Sequence, residues 1–354
     1  MNKERLVKTF TDLVALDSPS FDEQAVCRYI QERLTALGVQ VEEDDSAAAT
    51  GSTCGNLLAT IPGDPSLEPV LFAAHMDTVE PSRGKQAVTD ENGHITSCGD
   101  TVLGADDFAG VSAILEGAAS LLESGATHPT LELLFTTGEE HFCVGAKAFD
   151  AERLQSKTAY VMDLSGPVGD CAVAAPTLIT FSAEVVGKAA HAGFAPEDGV
   201  HAIQVAAAAV ANLPGGRATN IVPDSCTVTG EIRALCHQDA LDRLNEIHSE
   251  FVEQAQAVDA KLNFNHTIHI TGYRVDTDAP VAQRFRRACE AVGVAPRFTD
   301  TYGGSDCNIL SAHGIQGLVV ATAMNNCHAV NEYTTVEELC KAGRLAQALM
   351  EKQD

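Results

Sequence analysis

Gly104-Ala105-Asp106-Asp107 follows Cys98-Gly99-Asp100-Thr101-Val102-Leu103 and opens a small-residue helix pattern running from Phe108 to Glu123. Side chains of neighbouring residues at a helix start diverge, so the two acids are not expected to share one role. One of them can reach a site at the helix N-terminus, where the backbone dipole favours negative charge. Two readings stand at this point. Asp106 bridges two metal ions whose other ligands arrive from distant parts of the chain, or both acids simply cap the helix.

The flanking sequence bears on that choice. Val70 to Ala74 is a short apolar run of the kind found in a sheet covered on both faces, and it ends in His75-Met76-Asp77-Thr78-Val79. Leu131 to Thr136 reads as another buried strand, ending in Thr137-Gly138-Glu139-Glu140. Ala159 to Met162 is a third, ending in Asp163-Leu164-Ser165-Gly166. Strand, polar cluster, then helix or turn is the α/β pattern, and ligands in such folds gather beyond the carboxyl ends of the strands. Three polar clusters at three strand ends would therefore converge. Upstream, helices are predicted over Lys3 to Leu16 and Asp22 to Leu37, parted by Ser18-Pro19-Ser20. A strand is predicted over Asn56 to Ile61, and a hairpin at Asp90-Glu91-Asn92-Gly93.

The texture changes near Ala175-Pro176. Leu178 to Val186, Ser225 to Arg233 and Leu262 to Ile270 alternate like strands with one wet face, and helices are predicted at Asp198 to Leu213 and His237 to Val258. That order predicts an inserted α+β layer over residues 176–277, dividing a catalytic domain into 1–175 and 278–354. The α/β pattern resumes with a helix from Ala279 to about Val292, the loop Thr301-Tyr302-Gly303-Gly304-Ser305-Asp306, and a strand over Gly317 to Ala321. A last helix begins at Thr335, with Glu338 placed for a capping box.

The 354 residues suffice for two domains, and 45% hydrophobic with 20% charged residues describes a globular chain. A net charge of −26 argues against nucleic acid and anionic membrane surfaces as partners, since both need clustered Lys and Arg. The N-terminus leads into an amphipathic helix rather than a signal peptide's apolar core, and no apolar run has the length of a membrane span. Eleven cysteines without a C-x-x-C pair read as reduced thiols in a cytoplasmic protein. There is no G-x-S-x-G elbow, P-loop, G-x-G-x-x-G or H-E-x-x-H. Gly303-Gly304-Ser305 before a helix is a weak candidate anion cradle.

Hydrolysis assisted by two metals needs a bridging carboxylate, terminal ligands on each ion and a base for the water between them. His75, Asp106, Glu139, Glu140, Asp163 and His328 supply the residue types, and ligands without thiolates suit zinc, with cobalt or manganese as substitutes. Asp77, two residues from His75, is placed to orient that imidazole.

Seven segments carry a resemblance to a known family. They are His75-Met76-Asp77-Thr78-Val79, Gly104-Ala105-Asp106-Asp107, Thr137-Gly138-Glu139-Glu140, Met162-Asp163, Ala190-His191-Ala192-Gly193, Tyr302-Gly303-Gly304-Ser305-Asp306 and Cys327-His328. In this order the chain resembles the dinuclear zinc metallopeptidases that include peptidase T, glutamate carboxypeptidase, aminoacylase and succinyl-diaminopimelate desuccinylase, with its nearest likeness to the peptidase T branch. The resemblance implies a catalytic domain with a central, mostly parallel sheet and an inserted lid and dimerisation domain. It implies two zinc ions per subunit. Asp106, joined to Asp107 by a cis peptide, would bridge them; His75 and Asp163 would complete one site, Glu140 and His328 the other. Glu139 would be the general base for a bridging hydroxide. His191 would reach the partner subunit's active site in a homodimer and stabilise the oxyanion, with Asn220, Arg233 and Gly304 at substrate-binding positions.

The expected activity is removal of residues from short peptides such as tripeptides. An amidohydrolase acting on N-acyl amino acids or a carboxypeptidase is the alternative, and a non-catalytic dimeric relative the more distant one. One departure stands out: many members carry Lys after the paired acids, where this chain has Phe108. The remaining histidines read as surface or structural residues, with His141 the one to inspect.

Overall fold

The computed structural model describes residues 1–190, 196–209 and 224–353. Contacts divide the chain into two compact units, Met1–Ala175 with Arg274–Asp354, and Pro176–Tyr273.

The first unit opens with α1 (Lys3–Val14), capped by Asn2, whose side chain accepts the Arg5 amide, and α2 (Gln24–Ala36). Next come β1 (Gln40–Glu43), the single turn α3 (Ala47–Thr50), β2 (Leu57–Ile61) and β3 (Val70–His75). The hairpin foreseen at Asp90–Gly93 joins β4 (Ala87–Thr89) to β5 (His94–Ser97). Then follow α4 (Ala105–Ser124), β6 (Leu131–Thr136), α5 (Val144–Ala148), β7 (Thr158–Ser165) and β8 (Asp170–Ala175).

The second unit, taken by itself, is an antiparallel sheet. Its strand β9 (Thr177–Val186) lies between β10 (Ser225–Ala234) and β11 (Lys261–Ile270). Helices α6 (Ala202–Ala209) and α7 (His237–Gln256) pack on it. Ala183, Val185, Val205, Val228 and Phe251 form its main apolar cluster, the product of the alternation read from the sequence. The helix predicted over Asp198 to Leu213 extends in part outside the described residues.

The chain re-enters the first unit through the short β12 (Tyr273–Arg274), α8 (Pro280–Ala291), β13 (Arg297–Asp300) and α9 (Asp306–Ala312). It ends with β14 (Gln316–Met324), β15 (Tyr333–Thr335) and α10 (Val336–Met350). Thr335 caps α10 by accepting the Glu338 amide.

Nine strands build the main sheet, in the order β1-β2-β6-β3-β7-β14-β8-β12, with β13 paired to β8. The four central strands β6, β3, β7 and β14 are mutually parallel, while β1–β2, β2–β6 and β14–β8 are antiparallel. Every residue of β3 and β6 is buried, as a sheet covered on both faces requires. Helix α4 packs against β3, β7, β14 and α10, which explains why almost every residue from Ala105 to Leu121 is buried. Its one acid at the centre of that run, Glu116, accepts from the Asn2 amide at 2.5 Å, from Arg5 Nε at 2.6 Å and from Ser120 Oγ at 2.7 Å. These bonds fasten α1 to α4.

Five strands went unforeseen: Gln40–Glu43, Asp170–Ala175, Tyr273–Arg274, Arg297–Asp300 and Tyr333–Thr335. Asp170–Ala175 is rich in alanine, and Arg297–Asp300 is short and half exposed; neither carries the β-branched pattern by which a strand is recognised. Strand β7 also runs three residues beyond its predicted end, so Asp163 lies within it rather than after it.

Candidate metal centre

Because β6, β3, β7 and β14 are parallel neighbours, their carboxyl ends share one edge of the sheet. His75 is the last residue of β3 and lies opposite Thr136, the last of β6. Glu139 and Glu140 occupy the 3₁₀ turn that follows β6. Asp163 lies where the pairing of β7 with β14 loses register, between Val161↔Val319 and Leu164↔Ala321; such an irregularity re-aims a side chain. His328 follows β14 and has φ +65°, in the left-handed region that β-carbon-bearing residues seldom adopt.

The two oxygens of Asp106 face different partners. Oδ1 lies 3.1 Å from His75 Nε2, which is itself 3.8 Å from Asp163 Oδ1. Oδ2 lies 3.3 Å from His328 Nε2, which is 3.0 Å from Glu140 Oε1. Two three-residue groups, His75-Asp106-Asp163 and Asp106-Glu140-His328, thus share one carboxylate, and the ligand atoms within each lie within 4.8 Å of one another. His75 is buried while His328 is half exposed, so the cage is closed at one end and open at the other.

The neighbouring acid has a different task. Asp107 Oδ1 accepts the Gly110 amide and Oδ2 the His75 amide, each at 3.2 Å. Asp107 therefore provides the helix cap, leaving Asp106 to the cage, and the peptide between them is cis. Gly110 has no room for a side chain: a β-carbon there would lie 2.2 Å from Met162 O and 2.3 Å from Asp107 Oδ1.

Asp77 lies beneath the imidazole. His75 Nδ1 is 3.0 Å from the Asp77 carbonyl oxygen and 3.3 Å from its Oδ1. The same carboxylate accepts the Glu139 amide at 2.9 Å, the Glu140 amide at 3.3 Å and Ser20 Oγ at 2.7 Å. It fixes the turn bearing Glu139 and Glu140 as well as the ring. Burial would raise Asp77, but His75 and the Ser20 and Glu139 donors outweigh it and hold the carboxyl below its ordinary range.

The residues fit a pair of divalent cations. The donors are imidazole and carboxylate, the set that suits zinc, cobalt or manganese. Glu140 Oε1 is buried and, despite its closeness to His328, makes no hydrogen bond of proper geometry. Asp106 and Glu140 push His328 up to about 10. In the buried His75, the pull of Asp106 and Asp77 overcomes desolvation and raises the ring well above its usual value. Both imidazoles are drawn toward carrying the positive charge that the carboxylates demand. Glu139 and Asp163 also shift upward, which in a carboxyl favours the neutral form: burial, with the surrounding acids, lifts both well above the carboxylate range.

Several supporting groups carried no assigned role in the sequence reading. Glu332 is buried and accepts the Gly104 amide at 2.7 Å and the Asp106 amide at 3.0 Å, tying the loop of His328 to the segment of Asp106. Asp306 and Cys143 lie beside Glu139. The signals were an acid four residues beyond His328 and another closing Gly-Gly-Ser-Asp, each too common to interpret alone.

Of the remaining candidates, Gly304 precedes the cap of α9, where Ser305 accepts the Cys307 amide and Asn308 accepts the Ser305 amide. Arg233 lies on β10 in the second unit, its Nε 2.6 Å from Glu231 Oε1. His191 and Asn220 lie outside the described residues. His141 packs against the ring of Phe21 rather than joining the cage. Phe108 is buried, and Lys85 Nζ sits 5.2 Å from its ring centroid while donating to Leu16 O at 2.5 Å; a buried cation thus accompanies the residue that replaces the family's lysine.

The family model for Peptidase family M20/M25/M40 matches residues 71–352. A crystal structure of aminopeptidase PepT from Bacillus cereus ATCC 10987 superposes with a TM-score of 0.93 at 36% identity, covering 99% of this chain and 98% of that one. A tripeptidase from Staphylococcus aureus Mu50 gives 0.96 at 28% identity with the same coverage. Peptidase T of Listeria monocytogenes serotype 4b (strain CLIP80459) is 26% identical over 96% of both chains. The chain belongs to the peptidase family M20/M25/M40 and is a metal-dependent exopeptidase, a hydrolase of peptide bonds.

Proposed function

We propose that the enzyme is a zinc-dependent aminopeptidase of short peptides, tripeptides among them, with His75, Asp106 and Asp163 holding one ion and Asp106, Glu140 and His328 the other. The observation that carries this reading is the division of Asp106, with one oxygen toward His75 and the other toward His328. The similarity to an aminopeptidase and to a tripeptidase supports the substrate class.

When bound, the ions supply Lewis acidity and lower the pKa of water. Glu139 takes the proton from the attacking water and returns it to the departing amine. Its raised affinity for protons suits a group that must hold one between those steps. Asp77 keeps Glu139 in place through the backbone amide and orients His75. Asp107 anchors the His75 main chain from the opposite side.

The resemblance further supports a homodimer through the insert, 176–277, in which His191 completes the partner's oxyanion site and Asn220, Arg233 and Gly304 bind the peptide. No described helix is long and apolar enough to cross a membrane. That fact, with eleven free cysteines, is in keeping with a cytoplasmic enzyme.

The test is hydrolysis of a free-amine tripeptide beside N-acyl amino acids, with metal content measured on the same preparation. Glu139→Gln should retain both ions and lose turnover by about 100-fold or more. Preference for the acylated substrate would overturn the aminopeptidase reading, and full activity of Glu139→Gln would remove the base.

A further inference from the structure

Beside the cage, Glu139, Cys143 and Asp306 place one oxygen, one sulfur and one oxygen within 4.8 Å of one another. Cys143 Sγ is 3.3 Å from Glu139 Oε1, toward which it donates. Asp306 accepts from Thr136 Oγ1 through Oδ2. Its Oδ1, on a side chain only 1% exposed, has no hydrogen-bond partner. An unpaired buried carboxylate oxygen is costly to leave unmet.

We propose that Glu139, Cys143 and Asp306 form a third cation site, selective for thiophilic divalent ions such as zinc and cadmium, whose occupation inhibits the enzyme by engaging its base. Zinc–sulfur and zinc–oxygen bonds of about 2.3 and 2.1 Å place two tetrahedral ligands about 3.6 Å apart. The Cys143–Glu139 pair is already close to that separation. Binding releases the thiol proton to solvent, and the thiolate and two carboxylates then face a +2 ion. The local charge favours it, because two buried acids and a thiol meet here without a cation among the ligand atoms. Sulfur also sets this site apart from the all-imidazole-and-carboxylate pair, so that cadmium and zinc are preferred to magnesium or manganese. A carboxylate bound to an ion no longer accepts a proton from water. Excess metal would therefore slow turnover without displacing peptide. The inhibitory consequence rests on Glu139 being the base; the binding does not.

The test is a cadmium titration of the metal-loaded enzyme, following the ultraviolet thiolate-to-cadmium charge-transfer band. The wild type is compared with Cys143→Ala and Asp306→Asn, each checked for folding by circular dichroism. The wild type should show about one equivalent of thiolate-bound cadmium that Cys143→Ala lacks, whatever the exposed Cys98 and Cys236 contribute to both. Asp306→Asn should weaken that equivalent by more than the roughly 10–100-fold lost with an outer partner of a metal site. Zinc in excess should inhibit the wild type and not Cys143→Ala, each normalised to its own rate with two equivalents bound. Superimposable isotherms for wild type and Cys143→Ala would overturn the site and leave the thiol as a hydrogen-bond donor to Glu139. A cadmium band without inhibition would overturn its action on the base, while an enzyme inactive on every peptide would still report the binding.

Discussion

Removing the Glu332 carboxylate should loosen the metal centre without touching a ligand. Its two oxygens accept the amides of Gly104 and Asp106 at 2.7 and 3.0 Å, on either side of Ala105, within a buried setting. A hydrogen bond to a charged acceptor contributes about 1.5–3 kcal/mol, so Glu332→Ala forfeits roughly 3–6 kcal/mol if both amides are left unmet. Water entering the vacated volume offsets part of this. The remainder acts where Asp106 must point one oxygen at each histidine. Metal affinity should fall by about 10–100-fold, the usual cost of losing a supporting partner. Glu332→Gln keeps one acceptor but turns an NH₂ group toward the other amide, and should lie between Ala and wild type. Dialysis against graded chelator concentrations, with metal counted by mass spectrometry, gives the order directly. If Glu332→Ala holds two ions as tightly as the wild type and turns over normally, the carboxylate does not position Asp106.

Three further outcomes are expected. Gly110→Ala would force a β-carbon to 2.2 Å from Met162 O and 2.3 Å from Asp107 Oδ1, so metal content and activity should both collapse, while its neighbour Ala109→Gly should cost only about 1 kcal/mol in a denaturant melt. Glu116→Ala removes the buried acceptor of the Asn2 amide and Arg5 Nε while Arg5 keeps Glu123, and should lower unfolding stability by about 1.5–3 kcal/mol, read from the urea midpoint at constant m-value. Burial, with Asp77 nearby, lifts Glu23 to about 7, so the folded state binds its proton more tightly than the unfolded chain does. Stability is therefore lost as pH rises from about 4.5 to 7, by roughly 3 kcal/mol, and Glu23→Gln, which keeps the acceptor for the Phe21 and Gly138 amides, should flatten that slope in melts at pH 5 and pH 8.

The parallel core was legible because β3 is an apolar run and β6 one broken only by Glu132, and they end abruptly in His75 and in the Gly-Glu-Glu turn. What lay beyond reach was anything fixed by strand order. That β14 sits between β7 and β8, carrying His328 to the same edge, follows from packing and not from local pattern. The pair Asp106-Asp107 admitted two readings because adjacent acids look alike in sequence; in the structure Asp107 accepts the Gly110 amide as a cap, while the two Asp106 oxygens face His75 and His328. Glu332 and Asp306 stayed silent because an acid that accepts buried amides or a threonine hydroxyl looks, in sequence, like any surface acid. Asp163 was expected just after a strand end, whereas it lies within β7, at a local loss of register against β14.

The position of β14 has a temporal consequence. A ribosome delivers His75, Asp106 and Asp163 before the middle of the chain, yet the strand that lies between β7 and β8 begins only at residue 316. Until then the nascent sheet has an open slot at its heart. The trio with His75 is complete in the growing polypeptide, whereas the trio with His328 waits for the last tenth of synthesis.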